Sequence, residues 1–352
     1  MAAVVTVSAL DAGHLTLPER LFVTDADPDL RATVPSLSFL IRHTAPSGAT
    51  TTVLFDLGIK RNIDGYTPAQ RAHIAQRQPV VVSPDCADSL RRGHSPTLIA
   101  TDGEHQQQQL LLDPAADIDV VILSHVHWDH VGTPSDFGSA VFAVGAGTLD
   151  LLRQGAGPLY PAALFNADEL PAARTLEFPP APASPYDART SEHAPAPTPN
   201  TPSTAALLPS TIRYPWRWGP LPTDSSDPAF PATLDLFGDG SVRVVDSPGH
   251  LFGHVNVLLR TAPRRYVYLG GDCCHDPRIL RGEKGIALYD DGCGGLRSVH
   301  VDTGAARRTL ERIARFVDGD GTGHGDIEVE VVVAHDAVWR ERNRHRFWPG
   351  TL

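Results

Sequence analysis

The sequence predicts a chain of mixed α and β class, and three observations carry that prediction. Short apolar runs of strand length are interspersed with an amphipathic helix along the 352 residues. Four of those runs end in a polar cluster of His, Asp and Gly. No apolar run approaches the roughly 18 residues that a membrane helix needs.

In order along the chain, Val34 to Ile41 and Thr52 to Leu57 read as two strands joined by the turn at Pro46-Ser47-Gly48. Residues 60–112 are mixed, with a solvated Gln run from Gln106 to Gln109. Val120 to Leu123 is continuously apolar, as expected of a strand buried on both faces. Pro179 to Ser203 holds eight prolines among Ala, Ser and Thr. Such a segment buries too little surface to offset its ordering entropy. It reads as a flexible insertion at about 179–203, so deleting Ala181 to Thr201 is expected to leave folding intact. Ser241 to Val245 and Arg265 to Leu269 read as further strands. Thr303 to Asp318 reads as a helix with Ala306, Leu310, Ile313, Ala314 and Val317 on its apolar face. Ile327 to Ala334 is the last strand. The aromatic group Tyr214, Trp216, Trp218, Phe230 and Phe237 reads as local core, with a substrate entrance as the alternative.

Charge and cysteine content narrow the partners. Lys plus Arg number 30 against 41 Asp plus Glu, a net charge of −11. That balance disfavours nucleic acid or an anionic membrane, since both require basic patches. A small-molecule substrate is the expected partner. No Gly-rich nucleotide fingerprint or P-loop occurs, which disfavours NAD and ATP enzymes. Four cysteines are too few for a disulfide framework, and adjacent Cys273 and Cys274 read as buried free thiols. No basic residue precedes Arg20, so the N-terminus does not read as a secretory signal. A cytoplasmic location is expected.

The strongest motif is His125-x-His127-x-Asp129-His130, directly after the Val120 to Leu123 strand. Residues two apart in extended backbone point the same way, so His125 and His127 can grip one ion. Asp129 and His130 follow a turn and can reach a second. The other three clusters are Pro248-Gly249-His250, Gly270-Gly271-Asp272 and Ala334-His335-Asp336, each at a strand end. Strand ends are where such folds build sites, because the buried strand fixes the backbone that presents the side chain. Imidazole and carboxylate without Cys suit Zn²⁺ best, with Mn²⁺ or Fe²⁺ also compatible.

These motifs, together with Leu54-Phe55-Asp56-Leu57-Gly58 and Gly253-His254, resemble the metallo-β-lactamase-fold hydrolase superfamily over residues 34–340. Within it the sequence looks most similar to the N-acyl homoserine lactonase-like branch and its uncharacterised fungal relatives. The resemblance implies an α+β fold: one domain over 1–352, an αββα sandwich of two mixed sheets flanked by helices. It implies two zinc ions, with His125, His127 and His250 on the first, Asp129, His130 and His335 on the second, and Asp272 bridging them. Asp56 would support the ligands, as would His254. A metal-bridging hydroxide would attack an activated carbonyl, with Asp129 orienting it and carrying a proton to the leaving group. The implied substrate is a lactone; the alternative is a thioester, as in thioesterases or glyoxalase-II-like hydrolases.

One position departs from the lactonase pattern. His275 stands where the lactonases carry a tyrosine that contacts the substrate carbonyl. It is expected either to donate a hydrogen bond to that oxygen or to pack. His43, His73, His94, His105, His193, His300, His324 and His345 belong to no motif and read as surface or core.

Overall fold

A computed structural model describes the chain except residues 1, 94–110, 183–195, 224–225, 293 and 321–326. The Gln run, Cys293, His94, His105, His193, His324 and the middle of the Pro-rich segment lie outside the described residues.

The first sheet has six strands in chain order: β1 (Val5–Pro18), β2 (Arg31–Thr44), β3 (Thr50–Phe55), β4 (Val120–Ile122), β5 (Val141–Val144) and β6 (Thr175–Glu177). β1 to β3 pair antiparallel and β3 to β6 pair parallel. The second sheet runs through β7 (Thr233–Asp235), β8 (Val242–Asp246), β9 (Val255–Ala262), β10 (Arg265–Leu269) and β11 (Glu328–Val332). Its pairs are antiparallel except β10 with β11. Both sheets are thus mixed, as expected.

Alternation along the strands explains the layering, because successive side chains point to opposite faces. Val53, Phe55, Val120 and Ile122 of the first sheet share one core with Val244, Val257, Leu259, Val267 and Leu269 of the second. That core is the seam between the sheets. The intervening residues Leu54, Val121 and Phe142 face outward and pack on α2 (Cys86–Arg92) and α3 (Thr148–Gln154). On the far side Val245, Leu258 and Tyr268 pack on Ile313 and Phe316 of α4 (Thr303–Val317). Strands buried on both faces read as unbroken apolar runs, which is why Val120 to Leu123 was legible. The result is the αββα sandwich. α1 (Pro68–Ile74) lies outside these layers, capped by a reciprocal Thr67–Gln70 box. Among the described residues no helix is long and apolar enough to cross a membrane.

Three expectations are corrected. β1, 14 residues long, and β9 were not anticipated. The buried stripe of α4 is Ala305, Ala306, Thr309, Ile313 and Phe316, with Val317 41% exposed, so the helix is rotated from the predicted face. Alternation of small and polar residues at its start made two stripes compatible with the sequence, and docking on β8 to β10 selected one. Cys86, Cys273 and Cys274 are buried free thiols, as expected. Trp216 is buried against Phe178, so this part of the aromatic group is core.

The described flanks of the Pro-rich segment are built into the fold, contrary to the free deletion expected. Asn200 extends the edge of β6: its Oδ1 accepts from Glu177 N at 2.8 Å and its Nδ2 donates to Glu177 O at 2.8 Å. Thr198 N donates to Glu177 Oε2 at 2.6 Å, and the same carboxylate accepts from Gly147 N and Leu149 N at the start of α3. Thr201 caps a one-turn helix, Pro202–Ala205. Proline content predicts only what a segment cannot supply by itself; Asn200 and Thr198 use their polar groups on a neighbouring edge instead. Asn200→Ala removes both bonds to Glu177 and is expected to cost about 1–2 kcal/mol. Chemical denaturation measures this, and an unchanged midpoint would restore the view that the flank is dispensable.

Candidate metal centre

Five strand ends meet at one rim of the sandwich. β3 delivers Asp56, β4 delivers Ser124 to His130, β8 leads through Pro248-Gly249 to His250, β10 delivers Asp272 and β11 delivers His335. Hydrogen bonds tie the two sheets together here: Val255 N donates to Ser124 O at 2.9 Å and Leu37 N to Ala334 O at 3.0 Å, while within the second sheet Ala334 N donates to Gly271 O at 3.0 Å. Gly271 has φ of +47°, and a Cβ there would lie 2.8 Å from Ser124 Cβ and 3.1 Å from His254 Nε2. Only glycine lets the chain turn this close before Asp272.

All seven ligand candidates come together, in two groups. His125, His127 and His250 converge with Asp272, and Asp129, His130 and His335 form the second group. His125 Nε2 and His250 Nε2 lie 2.9 and 3.0 Å from His127 Nδ1. The Asp272 carboxylate stands between the groups. Its Oδ1 is 3.2 Å from both His130 Nε2 and His335 Nε2, and its Oδ2 is 3.4 Å from His250 Nε2 and 3.7 Å from His125 Nε2. One oxygen faces each group, which is the arrangement a bridging carboxylate requires. Asp129 Oδ2 is 3.6 Å from His335 Nε2.

The imidazoles are held from behind. Asp56 accepts from Ser124 N and Ser124 Oγ, and its Oδ2 is 2.9 Å from His130 Nδ1. It does so from φ of +60°, a strained value for a residue with a Cβ that these bonds stabilise. His125 Nδ1 meets Ser124 Oγ at 3.0 Å, and His335 Nδ1 meets Pro35 O at 2.7 Å. His254 sits behind the Asp272 loop: its Nδ1 meets Ser247 O, and its Nε2 accepts from Asp272 N at 3.2 Å. The sequence placed Asp56 and His254 near the ligands, and the geometry shows how each acts.

Electrostatics suit cation binding. Burial holds His125, His127 and His250 well below the ordinary histidine pKa, so they present the neutral form that ligates. Burial opposes charge on Asp272 as well, but His130, His335 and His275 hold its carboxyl well below the usual range. His127 Nε2 is buried and has no hydrogen-bond partner among the described residues. Unpaired buried polar atoms cost roughly 1–3 kcal/mol each, a penalty that coordination of a cation would remove. Nitrogen and oxygen donors without sulfur complete the fit to a divalent ion.

His275 packs, one of the two outcomes expected, and also meets Asp272. Its Nε2 lies 3.1 Å from Asp272 Oδ2, and its ring is stacked on His335 and packed on Phe22. It belongs with Asp272 and His335 to a further group able to hold an ion. His300 was read as surface or core, but it is buried with Nδ1 3.3 Å from His250 Nδ1. Nothing local marks it, because it reaches the site from the loop before α4, 50 residues away in sequence. His73 was likewise passed over, and it lines the cleft above the ligands. That cleft has apolar walls from Leu15, Leu17, Phe22, Leu164 and Val299, with Tyr160 beside His127.

No family model matches the chain. It is 26% identical over 368 aligned positions to cytochrome P450 monooxygenase mpaDE of Penicillium brevicompactum, taking in all of this chain and 35% of that protein. It is 27% identical over 298 positions to metallo-hydrolase mfmC of Annulohypoxylon moriforme, covering 82% of this chain and 61% of that one. The chain therefore spans about a third of the length of the mpaDE proteins it matches. An N-acyl homoserine lactone hydrolase, solved with N-hexanoyl-L-homoserine at its metal centre, superposes with a TM-score of 0.58 over all of both chains at 12% identity. The fold is the metallo-β-lactamase fold. The chain shares that fold with an N-acyl homoserine lactone hydrolase, and its sequence relatives include a metallo-hydrolase.

The purified protein is expected to bind about two divalent ions per chain, because the two ligand groups share one carboxylate. Asp272→Ala removes the shared ligand and is expected to leave one ion or fewer after dialysis. Elemental analysis decides it; full retention of both ions by that variant would overturn the bridging assignment.

Proposed function

We propose that this chain is a dizinc hydrolase that opens a lactone. The observation that carries the reading is the Asp272 carboxylate, with one oxygen on each of two His-rich groups. When bound, the two ions supply a hydroxide nucleophile near neutral pH and a Lewis acid for the carbonyl oxygen.

The chain's own residues account for the rest. Asp129 is buried yet lines the cleft, 3.6 Å from His335. Its carboxylate orients the attacking water, takes a proton from it and returns the proton to the leaving alkoxide. His275 also lines the cleft, packed on Phe22 and His335 with Nε2 beside Asp272, and a substrate carbonyl that displaces that contact would take its hydrogen bond. Tyr160 cannot take that part through its hydroxyl, which is committed to Val299 O. The apolar walls exclude water and favour a compact apolar acyl or lactone body.

A panel of lactones, thioesters and aryl esters, assayed with the zinc-loaded protein, is expected to show the highest kcat/KM for a lactone. A thioester leading the panel would replace the lactone reading with the thioesterase one. His275→Ala is expected to keep its zinc while turnover falls about ten- to a thousandfold, the range for one lost oxyanion donor. Loss of zinc from that variant would make His275 a ligand instead.

A further inference from the structure

The cleft has a second polar wall, facing it from the segment between β3 and β4. Gln70 and His73 of α1 and Arg77, one turn further along in the 3-10 turn Ala75–Arg77, all line the cleft. Their spacing of three and four residues puts them on one helical stripe. The capping box uses the Gln70 side-chain oxygen, which accepts from Thr67 N, leaving the amide NH₂ as a donor. The side chains of His73 and Arg77 make no hydrogen bond or ion pair among the described residues. Several other partly buried arginines pair with carboxylates: Arg340 with Asp11, Arg346 with Glu330, Arg278 with Asp276 and Glu19. Arg77 is half-buried without such a carboxylate, and burial pulls its pKa below the ordinary value while Asp129 only partly counters this. Burial pushes His73 down to about 4, so its imidazole is neutral and the charge on this stripe is that of Arg77.

We propose that Arg77, flanked by His73 and Gln70, is an anion subsite that binds a carboxylate carried on the substrate, apart from the carbonyl being hydrolysed. The inference rests on the hydrolase reading and narrows its substrate class to a compact apolar lactone bearing one carboxylate. Guanidinium offers a planar fork that matches a carboxylate with two parallel N–H···O bonds. The neutral His73 and the Gln70 amide add donors without competing charge. The apolar walls between this stripe and the ligands accommodate the body that joins the two ends of the substrate.

Two measurements on the zinc-loaded protein test it. The first is calorimetric binding of tetralin carboxylate and tetralin carboxamide, which carry no hydrolysable bond. The wild type is expected to prefer the carboxylate at least tenfold, Arg77→Gln to lose that preference, and Arg77→Lys to regain part of it. The second is kcat/KM for dihydrocoumarin with and without a ring carboxylate. Arg77→Gln is expected to raise KM for the carboxylated lactone about tenfold or more, with kcat and zinc content near wild type and the neutral lactone unaffected. Equal binding of carboxylate by wild type and Arg77→Gln would overturn the subsite. A binding preference that depends on Arg77, with no turnover of any lactone, ester or thioester, would instead support the subsite and count against the hydrolase reading.

Discussion

A single buried carboxylate has to face two clusters of imidazole at once, and most of the architecture serves that requirement. Aspartate is short, so its reach is set by its backbone. The Asp272 Cα must therefore stand between His125 and His250 on one side and His130 and His335 on the other. Those four histidines come from both sheets. The seam packing of Phe55, Ile122, Val257 and Leu269 brings the strand ends level. The bonds from Val255 N to Ser124 O and from Leu37 N to Ala334 O then lock them at hydrogen-bonding distance. A disturbance of the seam would separate the two halves of the site before it exposed any ligand.

Gathering so many imidazoles in a buried space is unfavourable unless each is oriented. Ser124 Oγ, Asp56, Pro35 O and His300 each hold the rear nitrogen of one ligand, leaving the front nitrogen aimed inward. Such partners fix tautomer and ring direction and raise ligand basicity. The arrangement also explains the strained Asp56 backbone. A residue at φ of +60° is retained because its carboxylate satisfies Ser124 N, Ser124 Oγ and His130 together. Ligand geometry and backbone strain are thus two aspects of one network.

The cleft above the ligands is assembled differently. Leu15 and Leu17 come from the end of β1, Phe22 from the turn after it, Gln70 and His73 from α1, and Val299 from the loop before α4. These segments are distant in sequence, and none repeats the strand-end pattern of the ligands. The apolar walls of the cleft and the His and Asp cluster that it also takes in therefore come largely from separate parts of the chain.

By itself the sequence picked out the seven candidate ligands and the strands that present them. His125-x-His127-x-Asp129-His130, the Gly-His and Gly-Asp turns and the apolar runs before them are all local, and local spacing dictates which side chains point together. Folding decided what depends on docking. β1 reads ambiguously because buried Ser8, Asp11 and Thr16 interrupt its apolar residues, and only pairing with β2 makes it a strand. The buried stripe of α4 was set by the sheet beneath it, and the flanks of the Pro-rich segment found order by bonding to Glu177. His300 carries no motif because it acquires its place from His250, 50 residues away, and His73 and Arg77 reach the cleft only through the docking of the segment between β3 and β4; such contacts exist only once the tertiary structure has formed.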